Sequence, residues 1–475
     1  MKRSRTLAFH ISSLLFATIC TIPGHAGSPH PDADARYFLG PAARDLELKD
    51  GADLSGLDLR GMTLYGDGHY YSNVHFDRAN LSGADLVGGD ILQTKFENCS
   101  FREAIMRRVT AKWAGSPAGC DFSDADISGS RIRLDARQLR STWSYKNKDL
   151  AYTSVWMTGS QPGFDFAHFN LRGTRFVDWH LGKGPLFVDA DFTDADIREA
   201  FIRLTAKQLR STKNYRGADL GNTTLVGDFA GVSFYGFNLR GTTFMCSNLA
   251  DCNFADSEIR GMNVNGSGYY ADRNGEWKTS RDPSASHFTK EQLYSTRNYQ
   301  RRNLDSVRFT GCDFRDADFS KQTLGLFQDC NLEGAVFTNG DHITISTDRL
   351  RTGRRQLPTG IGFVRCNLSA EQFYSTRAYA SKKLQPGCMM AGLDLRGWDF
   401  SNFDLRHVIF DNSLVADANF KNARGGDFSH AKGLTVSQVK SMWNYEHDHL
   451  KPEPGFSLPR EIEIALQADD REGAD

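Results

Sequence analysis

Apolar residues recur at every fifth position along most of the chain. From Val74 the sequence reads VHFDR, ANLSG, ADLVG, GDILQ, TKFEN and CSFRE, with an apolar residue at the centre of each quintet. The same phase returns in two later tracts. The centres that we assign to the interior are Phe76, Leu81, Leu86, Phe96, Phe101, Phe244, Leu249, Phe254, Leu395, Phe400, Leu405 and Phe410.

A period of five matches neither an α-helix, with 3.6 residues per turn, nor a strand, with a period of two. It fits a coil that turns a corner every five residues, with the apolar centre and the small residue two positions earlier pointing inward. The residue before the centre is often Asp or Asn, which suits a corner because its side chain can bond nearby backbone. We therefore expect Ala84→Leu to destabilise the protein more than Val87→Leu.

The quintets follow the pattern A-(D/N)-L-x-x and resemble the pentapeptide-repeat family over most of the chain. The resemblance implies an all-β solenoid, a right-handed four-sided β-helix in which four quintets form one coil. Stacked strands would raise each coil by about 4.8 Å, so roughly ten coils would form a rod on the order of 50 Å long.

A second repeated pattern interrupts the quintets five times. Each copy has a helix-capping residue followed three positions later by Gln, and then a Tyr. A hydroxyl or carboxylate at the cap and a Gln three residues on form a capping box, which predicts a short helix. The predicted helical inserts lie near 135–150, 205–219, 289–303 and 369–383, with the fifth at the start of 435–475.

One position is shared by all five inserts and carries a large or basic side chain. Its residues are Trp143, Lys213, Arg297, Arg377 and Trp443. One interpretation is that these side chains lie over the wall of the rod. The other is that they form a lateral ridge that contacts a partner, since Trp and Arg are enriched at interface hot spots.

The N-terminus has the pattern of a secretory signal peptide. Basic residues precede an apolar stretch, and Gly24-His25-Ala26 offers a cleavage site near Ala26. The predicted segments are a signal peptide at 1–26, a linker at 27–45, the β-helix at 46–434 and a C-terminal cap and polar tail at 435–475. No other run is long enough to span a membrane, so the mature chain is expected to be exported, periplasmic or secreted.

The composition sharpens this interpretation. The chain has 475 residues, a net charge of −1 and nine Cys. Near neutrality argues against a nucleic-acid-binding protein. Seven of the eight Cys outside the signal peptide occupy the small inward position, which favours buried thiols over disulfides; Cys246 is the exception. No catalytic signature is present, and Glu446-His447-Asp448-His449 is only a weak candidate metal site. The sequence therefore predicts no cofactor and no resident metal.

The leading functional hypothesis is an exported, non-enzymatic scaffold that binds a protein or another envelope component, with end-to-end pairing of two rods left open. The first alternative is a glycan-binding protein or a polysaccharide-processing enzyme with its site in the long loops. The second comes from the family, some of whose small members resemble duplex DNA and bind DNA gyrase. Many Arg residues directly follow quintet centres here, which offsets the acidic ladder that such mimicry needs.

Overall fold

The computed structural model describes most of one compact unit, Asp45–Asp475. The predicted signal peptide and residues 27–44 of the predicted linker lie outside the described residues, as do Phe76, Leu81, Ala84, Val87 and Cys246. Asp45, the last residue predicted for the linker, lies in the first strand. Leu86 and Phe96 lie in described strands, but their side chains are not described. The described residues are 45–47, 51–60, 63–65, 70–72, 75, 85–86, 95–111, 117, 119–157, 162–177, 187, 189–245, 247–265, 268–271, 277–280, 287–340, 362–364, 366–384, 388–448 and 456–472.

Short parallel strands stack into one long sheet, which confirms the prediction of a β-solenoid. The sheet has 15 strands in the order β1-β2-β4-β6 to β13-β16 to β19. β14 and β15 form an antiparallel pair, whereas β3 with β5 and β20 with β21 pair in parallel. The strands are β1 Asp45–Glu47, β2 Thr63–Tyr65, β3 Tyr70–Ser72, β4 Asp85–Leu86, β5 Lys95–Glu97, β6 Thr110–Ala111, β7 Arg131–Arg133, β8 Ser154–Trp156, β9 Arg175–Val177, β10 Phe201–Arg203, β11 Thr224–Val226, β12 Thr243–Met245, β13 Asn263–Asn265, β14 Gly268–Ala271, β15 Trp277–Ser280, β16 Arg308–Thr310, β17 Leu326–Gln328, β18 Gly362–Val364, β19 Met389–Ala391, β20 Gly426–Asp427 and β21 Phe456–Ser457.

The pairing register shows how the quintets stack. Asn238 pairs with Glu258, and Thr243 pairs with Asn263, so each partner lies four quintets further along the chain. Asp228 and Ser233, which lie in the two quintets before Asn238, likewise pair with residues that lie four quintets further along the chain. The chain therefore returns to the same place after four quintets in this region.

Each corner is a tight turn that follows the apolar centre. At Phe122, the centre's carbonyl accepts the Ala125 N–H at 3.1 Å, and Asp124 between them has a left-handed φ of 58°. The carboxylate of Asp121, the residue before the centre, accepts the Ser123 N–H at 2.8 Å. The polar residue of the quintet thus caps the corner through its own side chain, as short polar residues commonly do.

The described quintet centres form the axis of the solenoid. Rings from successive coils stack, as in the pairs Phe400–Phe420, 5.5 Å apart with an interplanar angle of 9°, and Phe410–Phe428, at 4.7 Å and 2°. Eight of the assigned centres have no solvent exposure: Phe101, Phe244, Leu249, Phe254, Leu395, Phe400, Leu405 and Phe410.

Overpacking of the small inward position should be costly. Ala317 is fully buried, and Ala317→Leu should lower the free energy of unfolding by about 1–3 kcal/mol because the added atoms have no free volume beside the axis. The matched control is Ala230→Leu, which makes the same change at an exposed corner. Urea denaturation of both variants measures the difference, and equal midpoints would contradict this assignment of inward positions.

Ten short helices occur as five pairs in the described residues. Each pair is joined through a single Thr or a Ser-Thr or Ser-Met step. We call the pairs inserts 1 to 5. The helices are α1 Ala136–Ser141 and α2 Trp143–Lys146, α3 Ala206–Ser211 and α4 Lys213–Arg216, α5 Lys290–Ser295 and α6 Arg297–Gln300, α7 Ala370–Tyr374 and α8 Arg377–Ala380, and α9 Val436–Lys440 and α10 Trp443–Asp448.

The inserts replace part of the wall. β7 pairs with β8 across insert 1, with Arg131 opposite Ser154, so a coil that contains an insert is only slightly longer than the uninterrupted coil from Thr243 to Asn263. Insert 1 therefore takes the place of about two quintets of one coil. The sequence pattern suggested excursions from a complete wall, because capping boxes mark where helices begin but not what they displace.

The inserts recur at every third coil. Counted along the paired strands, insert 1 lies between β7 and β8, insert 2 between β10 and β11, insert 3 between β13 and β16, and insert 4 between β18 and β19. Two coils without an insert separate each from the next, and insert 5 continues the series after β20. With strands about 4.8 Å apart, the inserts follow one another at intervals of about 14 Å.

The C-terminal end of the solenoid is covered. β21 extends the sheet beyond β20. Helix α11, Arg460–Glu472, packs Ile462 and Leu466 against the core, together with Leu458, which precedes the helix. The sequence predicted a cap and a polar tail at 435–475; helix α11 lies in the part predicted as a polar tail and contributes apolar side chains to the core.

The seven described Cys are buried thiols. Burial raises the pKa of Cys252 and of Cys388 to about 12, and the Cys252 thiol lies 3.0 Å from the Phe229 carbonyl oxygen. We predict that a thiol reagent labels few Cys in the folded protein and labels all of them after denaturation without reductant. Recovery of disulfide-linked peptides by mass spectrometry would contradict this.

Candidate interaction surface

A Gln, buried in inserts 1 and 2 and half-buried in the other three, anchors each insert to the coil below it. Gln138 accepts the Asp135 N–H through its Oε1 at 2.9 Å, which completes the capping box. Its Nε2 donates to the carbonyls of Pro117 at 2.7 Å and Cys120 at 3.2 Å. The same paired contacts are made by Gln208, Gln292, Gln372 and Gln438.

The second helix of each insert takes over hydrogen bonds that a strand would make. The Trp143 N–H donates to the Ala125 carbonyl at 3.0 Å. The Ile127 N–H donates to the Ser144 hydroxyl at 2.9 Å, and in insert 2 the Asn214 side-chain oxygen has the same role at Ile197. Side-chain oxygens thus replace the carbonyls that the next strand would have supplied, so the wall below remains satisfied.

The capping boxes in the sequence do not predict this function of Ser144 and its counterparts. A sequence feature that marks this function is nevertheless present in the inserts. The position after Trp143, Lys213, Arg297 and Trp443 is occupied by a small polar residue, Ser or Asn, in four of the five copies. In insert 4 this position is Ala378, which is buried.

A Tyr connects four of the inserts to the coil above. The Tyr145 hydroxyl donates to the Asp165 carbonyl at 2.8 Å, and the Tyr215 hydroxyl donates to that of Ser233 at 2.7 Å. The Tyr299 hydroxyl donates to the Asp318 carbonyl, whereas the Tyr379 hydroxyl donates to the Asp399 carboxylate at 3.0 Å. Each of these inserts is therefore held from below and above, and its backbone has a fixed place in the stack.

Trp143, Lys213, Arg297, Arg377 and Trp443 occupy the position shared by the five inserts, and we call this set the shared row. Each of them begins the second helix of its insert, and they occupy equivalent places in the stack. Lys213 and Arg377 are exposed, whereas Trp143, Arg297 and Trp443 are half-buried. The Arg297 guanidinium forms two hydrogen bonds with Asp256, at 3.0 and 3.1 Å. Trp443 stacks on His447 with the ring centroids 4.8 Å apart and lies under the Arg424 guanidinium. Since the row is distributed over coils three apart, its members do not form one contiguous cluster.

Inserts 1 to 4 concentrate positive charge, whereas insert 5, residues 435–448, has Lys440 against Glu446 and Asp448 and a net charge of −1. Residues 135–150, 205–219, 289–303 and 369–383 carry net charges of +2, +3, +3 and +2, in a chain whose total is −1. Some of these cations pair with corner carboxylates below, as Lys146 does with Asp124 and Arg216 with Asp194. Many others are exposed: Arg137, Arg140, Lys207, Arg210, Lys213, Arg301, Arg302 and Lys383.

The wall between consecutive inserts is acidic on the same side. We call these stretches spacers 1 to 4; they are the described parts of 157–169 with 178–195, of 227–237 with 246–257, of 311–322 with 329–340, and of 392–403 with 410–423. Their described residues carry net charges of −4, −3, −3 and −2. From insert 1 to spacer 4, basic inserts and acidic spacers therefore alternate along this side; insert 5, which follows spacer 4, is not basic.

Part of the acidic charge is neutralised within single corners, in the spacers as well as outside them. In the sequence Asp394-Leu395-Arg396, the Arg side chain donates to the carboxylate at 2.8 and 2.6 Å, and these bonds lower the pKa of Asp394. Asp404 and Arg406 repeat the arrangement, which lowers the pKa of Asp404. These short Asp-x-Arg pairs explain why many carboxylates do not add up to a continuous acidic surface.

An open cavity of about 560 Å³ lies beside insert 3. Its lining includes Asp251, Lys290, Glu291, Arg315 and Asp316. The described residues contain no cluster of three or more His, Cys, Asp or Glu suited to a metal ion. In the weak candidate motif, His447 stacks on Trp443, and His449 lies outside the described residues.

Comparison with known proteins agrees with the quintet geometry. The family model of pentapeptide repeats matches residues 75–114 with eight copies. Residues 75–114 therefore carry the repeats of the pentapeptide-repeat family. The resemblance inferred from the A-(D/N)-L-x-x quintets is thereby confirmed, and no curated protein sequence matches the chain significantly.

Two solved structures of pentapeptide-repeat proteins align with this one. HetL, which is involved in heterocyst differentiation regulation in the cyanobacterium Nostoc sp. strain PCC 7120, covers 80% of this chain and 89% of its own at 11% identity, with a TM-score of 0.14. QnrB1, a plasmid-mediated fluoroquinolone resistance protein, covers 62% and 91% at 15% identity, with a TM-score of 0.14. Similarities of this size carry no functional argument. Each helix in the described residues is too short or too polar to cross a membrane.

Proposed function

We propose that this pentapeptide-repeat protein is an exported, non-enzymatic scaffold and that the side bearing the inserts is its binding surface. The observation that carries the proposal is the repetition of the inserts at every third coil. Each is fixed by the same Gln anchor, so equivalent side chains return at equal intervals. A regular array of this kind suits the recognition of an extended partner, because repeat proteins commonly bind their partners through extended surfaces.

The proposal includes the finer features of the fold. We propose a right-handed, four-sided coil over 46–434 with five helical inserts, preceded by a cleaved signal peptide at 1–26. The pairing of Thr243 with Asn263 and of Asn238 with Glu258 in uninterrupted coils supports four quintets per turn. The partner is a protein or another component of the cell envelope.

Export is tested by fractionation of cells that express the full chain or the chain lacking 1–26. We expect the full chain outside the cytoplasm, shortened by cleavage near Ala26, and the truncated chain inside. N-terminal sequencing of the mature protein provides the cleavage site. Retention of an uncleaved full chain in the cytoplasm would refute export.

The binding surface is tested by proximity labelling in the native envelope. Labelled neighbours should be lost when Trp143 and Trp443 are both changed to Ala, because these rings belong to the shared row of the inserts. Tyr152→Ala is the control, since this aromatic side chain is 53% exposed and lies outside the inserts. Identical neighbours for all three proteins would refute the row as the interface.

A glycan-binding site is the second candidate, and the cavity beside insert 3 favours it. The cavity combines carboxylates with Lys290 and Arg315, a mixture suited to hydrogen bonds with hydroxyl groups. Titration with oligosaccharides, followed by calorimetry, tests this candidate. Binding that disappears in Lys290→Ala would support it, and the absence of binding would remove it.

A further inference from the structure

The main sheet carries a concentration of Arg on four neighbouring strands. From β6 to β19, the 12 strands of that sheet contain five Arg and no Lys, Asp or Glu. Four of the five lie on β7 to β10: Arg131, Arg133, Arg175 and Arg203. We call the outward side of β7 to β10 the Arg face. In a chain with a net charge of −1, it is a local excess of positive charge.

The Arg side chains point away from the core. In β7 the middle residue, Ile132, has no solvent exposure, so its two neighbours point outward, as alternation along a strand requires. The same alternation occurs in β10. Arg131 and Arg175 are exposed, whereas Arg133 and Arg203 are half-buried.

Hydrogen bonds between coils hold the backbone beneath these side chains. The Arg131 N–H donates to the Val109 carbonyl at 2.7 Å, and the Arg175 N–H donates to that of Thr153 at 2.8 Å. Ser154 of β8 pairs with Arg131 on one side and with Arg175 on the other. The two exposed Arg therefore lie two strands apart in one column, at a separation of about 10 Å.

We infer that the Arg face binds an acidic polysaccharide and that its guanidinium groups hold the uronate carboxylates. Every cation on this face is an Arg. The planar guanidinium can bind a carboxylate through two parallel hydrogen bonds, which Lys cannot do. The inference goes beyond the proposed function, because the Arg face consists of strands and contains none of the inserts.

Aromatic rings lie beside the Arg side chains. Trp156 pairs with Arg133, and Phe201 pairs with Arg175, each across two neighbouring strands. Both rings occupy outward positions and are half-buried. A pyranose unit presents C–H groups on its faces and oxygen atoms at its edge, so it can lie over an aromatic ring while its carboxylate reaches the adjacent Arg. An inorganic anion would not use the rings.

The spacing of the exposed Arg suits a β-1,4-linked chain that runs along the solenoid. In an extended chain, one pyranose unit is about as long as the distance between adjacent strands, about 4.8 Å. Successive units are turned over, so the carboxylates on one edge recur at every second unit. This interval matches the two-strand separation of Arg131 and Arg175.

The described carboxylates closest to these strands in the sequence are already engaged. The Asp135 carboxylate caps α1 and accepts the Gln138 N–H at 2.7 Å. The Glu199 carboxylate accepts two hydrogen bonds from the Arg172 guanidinium, at 3.0 and 2.5 Å. They therefore offset the charge of the Arg face less than unpaired carboxylates would.

The extent of the Arg face favours a glycan over a nucleic acid or a membrane. A nucleic-acid strand carries one phosphate about every 3.4 Å and is bound through many cations, but the strands on either side, β6 and β11, are uncharged. Binding to a membrane surface depends on apolar side chains that enter the lipid, whereas Trp156 and Phe201 are half-buried.

Titration with two matched oligosaccharides tests the inference. β-1,4-Linked hexamannuronate and mannohexaose share length and linkage and differ in the carboxylate. In calorimetry of the full chain at about 0.1 M salt, we expect hexamannuronate to bind and mannohexaose not to bind. R131A/R175A should raise the dissociation constant for hexamannuronate at least tenfold, because charge-assisted hydrogen bonds are lost. R131K/R175K should raise it at least threefold, because Lys keeps the charge but not the paired bonds.

Two control variants locate the site. R301A/R302A makes the same change at two exposed Arg of insert 3, and it should leave the dissociation constant within about twofold. Lys290→Ala alters the cavity beside insert 3, and binding of hexamannuronate should also persist in this variant. Circular dichroism verifies that all variants are folded.

The contrary outcomes are distinct. The absence of hexamannuronate binding, equal binding of the two sugars, or equal effects of R131A/R175A and R301A/R302A would overturn the inference. A thymidine hexanucleotide and phosphatidylglycerol vesicles are titrated in parallel. Tighter binding of either probe than of hexamannuronate, lost in R131A/R175A, would assign the Arg face to a nucleic acid or to a membrane instead.

Discussion

Replacement of Gln138 by Leu should lower the free energy of unfolding by about 3 kcal/mol. Gln138 is 3% exposed, and its amide satisfies three backbone groups: the Asp135 N–H and, in buried residues, the carbonyls of Pro117 and Cys120. Leu has a similar volume but no polar atoms, so the two carbonyls lose their partner while remaining out of water. Each unsatisfied buried group costs about 1–3 kcal/mol.

The loss should be local as well as global. Gln138 joins α1 to the coil below, so hydrogen exchange of the α1 amides should accelerate more than exchange of distant coils. The control is Gln300→Leu, which makes the same change at an exposed Gln at the end of α6; its effect should stay within about 0.5 kcal/mol. A Gln138→Leu variant that unfolds like the control would show that water or a rearranged helix replaces the anchor.

These Gln residues also show what the sequence could and could not predict. The capping box ties each Gln to the start of its helix, because Thr205 and Gln208 satisfy each other within one turn of local sequence. The second function of Gln208, donation to Phe187 and Ala190 in the coil below, depends on contacts between successive coils. No local pattern encodes such a contact, so the anchor was found only in the structure.

The burial of the quintet centres, in contrast, could be predicted because it follows from the local period of five residues. Phe254 and Leu249 lie in a period that permits only one inward phase, and both are fully buried. The surroundings of the shared row were harder to predict. The shared position of Trp143 and Arg297 is visible in the sequence, but the contact of Arg297 with Asp256 is not, because it joins an insert to a corner on the far side of a long loop.

The alternation of charge could have been found from the sequence once the coil register was known. The stretch between insert 2 and insert 3, 220–288, contains both uninterrupted coils and a long loop, so the separation of three coils cannot be counted along the chain. Pairing of β13 with β16 across that loop restores the count. Solenoid periodicity is a property of the stacking, and insertions conceal it in the linear sequence.

Replacement of Phe400 by Ala should lower the free energy of unfolding by about 3–5 kcal/mol, the usual range for a buried Phe. Phe400 has no solvent exposure, and its ring lies 5.5 Å from that of Phe420 and 5.7 Å from that of Phe410. It also contacts Phe373 of insert 4 at 5.6 Å. The cavity would therefore separate two coils and loosen the insert at once, and rigid stacking on both sides limits collapse around it.

Two further variants distinguish a cavity from a general loss of aromatic area. Phe400→Leu should recover most of the stability, because Leu395 and Leu405 fill the same inward position in neighbouring quintets. Tyr235→Ala removes an aromatic side chain that is 61% exposed, and it should change the free energy of unfolding by less than about 1 kcal/mol. Urea denaturation followed by circular dichroism compares the three. If Phe400→Leu were as destabilising as Phe400→Ala, stability would depend on the stacked aromatic column itself, and Leu and Phe centres would not be interchangeable along the axis.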